Sequence, residues 1–318
     1  LLDVSISNDG RDPVASFSAK LEAANAAGCK TLWIANHLFQ RDPVALAYRA
    51  LSSVPNLRVA LMAMNPYTQH PVQMAMAAAT LDECFPGRVI LCLGVGAPVD
   101  LKSVNIEANG PLKAMREALA ICRALLNGET VKVEGEVFSV VNRKLVNPAK
   151  VPLVLAASGP QMLALAGSSA DGVLISAGSS VEFVRWSLDH VDKGAQGRKL
   201  RAHGLVYGSV DENASTAHNR LRRTLGVLLR GQHHAHNLQL AGSVLDQAAL
   251  MEAMAQEDWP RVNALINDDI VSRHAVSGTP DQVRQRLEAY SEAGLNEVVI
   301  AGAQDAQQIS ALLRVAAQ

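Results

Sequence analysis

Short apolar runs alternate with amphipathic stretches along nearly the whole chain, and one junction recurs. A helical pattern ends at a small residue or glycine, and an apolar strand begins within a few positions. It is read at Ala27-Gly-Cys-Lys-Thr-Leu-Trp-Ile34, Phe85-Pro-Gly-Arg-Val-Ile-Leu-Cys-Leu93, Ala170-Asp-Gly-Val-Leu-Ile175 and Ala293-Gly-Leu-Asn-Glu-Val-Val-Ile300. Helices alternating with strands of this kind imply parallel β/α units. Strands are expected at Leu2 to Ser7, Thr31 to Ala35, Leu57 to Ala63, Val89 to Leu93, Leu153 to Ala156, Gly172 to Ile175, Gly204 to Val210 and Glu297 to Ala301. Eight such units favour an α/β fold of the closed (β/α)8 TIM-barrel type over an open doubly wound sheet. No linker or low-complexity tract divides the chain, so residues 1–318 read as one domain.

Two segments break the alternation. After a helix expected over Leu112 to Leu126, Val131-Lys-Val-Glu-Gly-Glu-Val-Phe-Ser139 reads as a rim hairpin turning near Glu134-Gly135. The segment Asn213 to Asp269 has helical periodicity at Leu221, Leu225, Leu228 and Leu229 and again from Val244 to Ala255. Helical excursions of this kind commonly cover an active site.

The stretch Val151 to Ser176 contains the whole repeating unit. A run covered on both faces, Pro152-Leu-Val-Leu-Ala156, ends in Ala157-Ser-Gly-Pro160. Ser158 or Gly159 can cap the following helix and Pro160 suits its first turn. Small side chains at Ala156, Ala157 and Gly159 let a ligand reach the backbone, where free amides and the helix dipole favour an anion. The same residues also fit an ordinary strand-to-helix turn, and this stretch alone does not separate the two readings.

Composition narrows the classes. With 49% hydrophobic and 19% charged residues over 318 positions the chain can bury a large core, and a net charge of -1 gives no cause to expect nucleic acid. Cys29, Cys84, Cys92 and Cys122 are widely spaced within apolar patterns, as reduced core cysteines of a cytoplasmic protein would be. No apolar run reaches the roughly 18 to 20 residues that span a bilayer, so no membrane anchor or signal peptide is expected.

In a parallel barrel chemistry is done at the C-terminal ends of the strands. Those ends are expected at Asn36-His37, at Met62, Ala63, Met64 and Asn65, at Gly94 and Gly96, at Ala156 to Pro160, and at Ser176-Ala-Gly178. They are small, uncharged and glycine-rich, which suits a large planar cofactor better than a metal cluster. His37 is the candidate for catalysis, since a histidine past a buried strand can orient a ring or move a proton; a structural histidine bonded to a backbone carbonyl is its plain alternative. His70 precedes Pro71 and reads as a local cap. His233, His234 and His236 lack a fourth ligand and read as a solvated lid, so no metal site is assigned. Met62, Met64, Met74 and Met76 read as core or pocket lining.

Taken together these pieces resemble the luciferase-like superfamily of flavin and deazaflavin enzymes, on its methylenetetrahydromethanopterin reductase-like branch. The matching residues are Leu32-Trp-Ile-Ala-Asn-His37 with Arg41-Asp-Pro43, Asn65-Pro-Tyr-Thr-Gln-His-Pro71, Ala79-Thr-Leu-Asp-Glu83 with Gly87-Arg-Val-Ile-Leu-Cys-Leu-Gly-Val-Gly96, Ala156-Ala-Ser-Gly-Pro160, Ala170-Asp-Gly172 and Val276-Ser-Gly-Thr-Pro-Asp281. The resemblance implies a (β/α)8 barrel, with FMN or the deazaflavin coenzyme F-420 over the strand ends and its phosphate on Ala156 to Pro160. It also implies a non-prolyl cis peptide at Met62-Ala63 and a homodimer. The chain departs from the pattern at two acids: Asn36 stands before the histidine, and Ala97-Pro98-Val99 follows the Gly-x-Gly turn. Deazaflavin reductases often use such acids to move the proton that accompanies hydride, so their loss favours FMN slightly; Asp100 or Glu107 are the available substitutes.

The expected activity is therefore a flavin- or deazaflavin-dependent oxidoreductase acting on a small organic substrate by hydride transfer or monooxygenation. A monooxygenase would need a separate flavin reductase, because the chain has no nicotinamide fingerprint. The rival is a barrel that binds its cofactor without turnover, or has lost it. An isomerase or aldolase is disfavoured because no strand end offers a lysine or paired acids. The pocket wall is expected from Leu101 to Gly110 and from the helical excursion.

Overall fold

A computed structural model describes residues 2–303 and 305–318. Its strands are β1 (Asp3–Asn8), β2 (Thr31–Ala35), β3 (Arg58–Met64), β4 (Val89–Leu93), β5 (Val131–Glu134), β6 (Ser139–Arg143), β7 (Leu153–Ala157), β8 (Gly172–Ile175), β9 (Arg201–Val210), β10 (Ala275–Gly278) and β11 (Glu297–Ala301). Eight of them close a parallel barrel in the order β1, β2, β3, β4, β7, β8, β9, β11, with β11 returning to β1 at the pair Glu297 and Asp3. The expected TIM barrel is therefore the fold.

The alternation of each strand sorts its side chains into two cores. Trp33, Ala60, Ile90, Val154, Leu174 and Val299 fill the barrel interior. Their neighbours Leu32, Ile34, Val59, Leu61, Leu91 and Leu155 face the helical layer. Among the described residues, seven helices carry proline in their first turn, at Pro43, Pro71, Pro98, Pro111, Pro160, Pro260 and Pro280. There the fixed φ suits the helix and the missing N–H has no acceptor to lose, so these prolines set sharp starts after the loops.

The interior is closed at the N-terminal ends of the strands by a polar network. Glu297, 2% exposed, accepts hydrogen bonds from the Ser5 hydroxyl, from Trp33 Nε1 at 3.3 Å and from His203 Nδ1 at 2.7 Å. The His203 ring lies edge-on to Trp33 with centroids 4.9 Å apart. Burial alone would raise the Glu297 carboxyl, but the bonds from His203, Ser5 and Trp33 hold it below the usual glutamate value.

Three features differ from the sequence expectation. β9 begins at Arg201 rather than Gly204, because Arg201 and His203 are strand residues engaged with the buried Glu297 rather than a polar lead-in. β10 was not expected; it is four small or short residues that pair with the upper half of β9 outside the ring, Ala275 opposite Tyr207 and Gly278 opposite Val210. The hairpin's second strand starts at Ser139, since the turn over Gly135 to Phe138 is held by the Glu117 carboxylate, which accepts the amides of Glu136, Val137 and Phe138. The excursion is helical throughout, from Ala214–Leu229 to Asp268–His274, and has its own core of Leu221, Leu225, Leu250, Val262 and Ile270.

Candidate active site at the barrel mouth

Sequence order brings the ends of β2, β3, β4 and β7 side by side, and small residues let their backbones converge. A Cβ placed on Gly94 would lie 2.7 Å from the Ala63 Cβ and 3.4 Å from the Ala156 Cβ. Nothing larger than a methyl group therefore stands on this part of the mouth. The Met62–Ala63 peptide is cis. Its neighbours are tied across the sheet, Asn36 N–H donating to the Met62 carbonyl at 2.6 Å and Gly94 N–H to the Met64 carbonyl at 3.0 Å. Gly96, at φ 86°, would place a Cβ 2.1 Å from Asn65 Nδ2, so only glycine fits there. Asn65 is itself 6% exposed and shapes the next turn, its Oδ1 accepting the Tyr67 amide at 2.8 Å.

The turn after β7 is open. Nothing comes within 4 Å of a Cβ built on Gly159, Ser158 is exposed, and Gly159 caps the helix Pro160–Ser169 without any side-chain bond. The first helical bond runs from Leu163 N–H to the Gly159 carbonyl, leaving the amides of Gln161 and Met162 ahead of it. Ala156 at the end of β7 faces Gly94, while Ala157 is buried in the helical layer. Gly178 takes a different position: it is buried, and a Cβ there would lie 2.5 Å from Leu228 of the excursion. Its carbonyl accepts from Asn237 Nδ2 and from His274 Nδ1, each at 2.9 Å. That bond fixes the His274 tautomer, so Nε2 accepts from the Ser243 hydroxyl at 2.9 Å. Burial lowers the His274 pKa to about 4.

His37 stands at the end of β2 with its side chain 47% exposed, and its Nδ1 lies 3.9 Å from Asp100 Oδ2. Asp100 belongs to the short helix Pro98–Ser103 after β4. The sequence offered Asp100 only as a substitute acid without a location; the fold brings it to His37. Two apolar side chains close to the pair in sequence are exposed, Phe39 at 76% and Val99 at 74%.

Other sequence readings sort by burial. His70 caps its helix through Nδ1, which accepts the Val72 amide at 3.2 Å, as expected. Met62, Met64 and Met74 are buried, but Met76 is half exposed on the outer wall. It lines an open groove of about 580 Å³ with Val44, Tyr48, Gln73 and Thr80, in the helical layer and away from the mouth. Cys29, Cys92 and Cys122 are buried, whereas Cys84 is exposed. His234 is also buried, with a pKa of about 4 caused first by that burial and then by the neighbouring His233 and His274. A solvated lid describes His233 and His236 but not His234.

With this geometry in place, comparison with known proteins is decisive. The family model described as luciferase-like monooxygenase matches residues 5–297. The chain belongs to the luciferase-like monooxygenase family. It is therefore an oxidoreductase by family. A 5,10-methylenetetrahydromethanopterin reductase of Archaeoglobus fulgidus is 31% identical over 289 residues, covering 88% of this chain and 87% of that one. An F-420-dependent glucose-6-phosphate dehydrogenase of Nocardia farcinica is 26% identical, over 81% of this chain and 77% of that one. Among solved structures, the coenzyme F-420 dependent tetrahydromethanopterin reductase from Methanopyrus kandleri superposes with a TM-score of 0.90 at 22% identity, over 98% and 97% of the two chains. The oxygenating constituent of 3,6-diketocamphane monooxygenase from Pseudomonas putida, in complex with FMN, superposes with a TM-score of 0.71 at 18% identity, over 99% and 96%. The last two likenesses speak to the fold. Asn36 and Ala97 leave these two positions of the mouth without a charge.

Proposed function

We propose that the protein is a deazaflavin-dependent oxidoreductase that moves hydride between coenzyme F-420 and a small organic substrate. The observation that carries this reading is the uncharged platform of Ala63, Gly94 and Ala156 beside the open Gly159 turn, a surface on which a flat ring and its phosphate can rest together. The relatives favour the deazaflavin over the FMN that the missing acids slightly favour, since the most similar of those described above are a reductase of the methanopterin series and an enzyme named for F-420.

The chain's own residues divide the task. The Gln161 and Met162 amides, with Ser158, would hold the phosphate at the positive end of the helix dipole. Ala63 and Gly94 back the ring, and the dry barrel below it excludes water. When bound, the deazaflavin contributes the hydride chemistry. His37 holds or releases the accompanying proton at the substrate. The functional unit is a homodimer, for which the apolar groove of Val44, Tyr48 and Met76 is a suitable contact. Light scattering at a monomer's mass would reject the dimer.

Quenching of cofactor fluorescence tests the reading. Micromolar or tighter binding of F-420, with weaker binding of FMN, is expected; binding of neither overturns it. Oxidation of reduced F-420 is then followed with methylenetetrahydromethanopterin, glucose 6-phosphate lactone and a simple ketone as acceptors. A second reading, an FMN monooxygenase served by a separate reductase, draws on Asn36 and Ala97. It predicts the reverse order of affinities, and a flavin absorption spectrum in the protein as purified.

A further inference from the structure

The contact between His37 and Asp100 joins two loops that the sequence separates by more than sixty positions. His37 rides on the end of β2. Asp100 is set by the helix Pro98–Ser103, whose Leu101 is 2% exposed and anchors it, and whose Asp100 amide donates to the Ala97 carbonyl at 3.1 Å. The two side chains therefore approach from neighbouring walls of the mouth.

Of the other charged groups in these loops, Lys102 is exposed on the same short helix as Asp100, and the rest are engaged. Arg41 donates to the carbonyls of Gly10 and Arg11, at 3.2 and 2.8 Å. Asp42 caps its helix by accepting the Ala45 amide at 2.8 Å. Glu107 accepts from the Asn109 side chain at 3.4 Å. Among the described residues, the recorded partner of the Asp100 carboxylate is His37.

We propose that Asp100 is the positioning residue for His37. Its carboxylate takes Nδ1–H, fixing the ring so that Nε2 faces the substrate, and it supports the protonated ring between turnovers. This rests on reading the mouth as a hydride-transfer site. In the reducing direction, hydride from the reduced deazaflavin adds to the carbon of a C=O or C=N group. The Nε2–H bond breaks as the O–H or N–H bond forms, and water reprotonates the imidazole. Substrate seated against Phe39 and Val99 removes water from the pair and shortens the 3.9 Å gap, as catalytic contacts commonly tighten on binding. No acid stands at Ala97, Pro98 or Val99 directly after the Gly-x-Gly turn, and Asp100 is the first one beyond it.

The test compares Asp100→Asn with Glu107→Gln. In the ligand-free protein, nitrogen NMR of the His37 ring is expected to show the Nδ1–H tautomer preferred, with that preference kept in Glu107→Gln and lost in Asp100→Asn. In the F-420-loaded enzyme, with the acceptor that turns over in the screen above, Asp100→Asn is expected to lower kcat roughly tenfold to hundredfold and to displace the acid limb of the pH profile. F-420 affinity and melting temperature stay unchanged. A His37 ring without the Nδ1–H preference in the parent protein, or an Asp100→Asn enzyme with the parent pH profile, overturns the proposal. Failure to bind F-420 sinks the deazaflavin reading instead, and the NMR arm still decides whether the two side chains interact.

Discussion

At the N-terminal ends of the strands the barrel is closed by Trp33, His203 and the buried Glu297, whereas at the C-terminal ends the inward positions are Ala63, Gly94 and Ala156. One end is crowded with large side chains whose polar atoms are satisfied by one another. The other is stripped to backbone and methyl groups, with its titratable pair set beyond the ends of β2 and β4. The floor spends its polar groups on closure, so they are not free for chemistry. The mouth leaves the Gln161 and Met162 amides ahead of the first helical bond and holds His37 half exposed, so both can reach a ligand.

The largest expected effect lies at the floor. Glu297→Ala leaves His203, the Trp33 N–H and the Ser5 hydroxyl without their acceptor, and should cost about 3–5 kcal/mol of unfolding free energy by urea titration. Cofactor affinity measured on whatever remains folded should be unchanged, and a matching loss of binding would mean that the two ends are coupled. At the mouth the order reverses. Gly94→Val forces a side chain into the 2.7 Å gap beside Ala63 and should weaken cofactor binding at least tenfold, for an overpacking cost of roughly 1–3 kcal/mol.

Acid should act on both the floor and the excursion. Glu297 is held below its usual value, so its contribution is present above the unfolded glutamate pKa and is lost as pH falls through the lower folded one. His234 and His274 titrate near 6.5 when unfolded and near 4 when folded. Between those values the unfolded chain binds more protons, so stability declines as pH drops from 6.5 toward 4. The double variant His234→Gln, His274→Gln should flatten that slope, as read from urea midpoints at successive pH values. Smallest of all is Gly159→Asp, which meets no atom within 4 Å and should change stability by under about 0.5 kcal/mol. It should still weaken phosphate-bearing cofactors severalfold by charge repulsion, and an unchanged affinity would move the phosphate elsewhere.

The barrel was legible because several strands are apolar on both faces and four follow a helix that ends at a small residue or glycine, so Thr31–Ala35 and Val89–Leu93 are read from the pattern to the residue. β10 was not, because Ala-Val-Ser-Gly carries no alternation and lies between a helix end and the Thr279 cap; its strand state comes from the free edge of β9. The start of β9 was misplaced for a related reason. Arg201 and His203 look like loop residues until a buried carboxylate ninety-odd positions away is brought against them. At the mouth, the residue types at Ala63, Gly94 and Gly159 were read from the sequence, but the contact of His37 with Asp100 depends on the relative set of two loops and has no local signature. Gly178 illustrates the converse: a glycine at a strand end can serve packing beneath a neighbouring element, here Leu228 and His274.

β9 gives its lower half to β11 and its upper half to β10. The excursion that leaves after Val210 therefore rejoins the sheet beside the strand it left, with Asp211 N–H donating to the Gly278 carbonyl at 3.1 Å. Both ends of some sixty residues are stapled to a single host strand while the ring closes without them. Such a segment can be lengthened, shortened or replaced by a cousin's with the hydrogen bonding of the host intact. The same scaffold can in this way acquire new clients by exchanging a cassette.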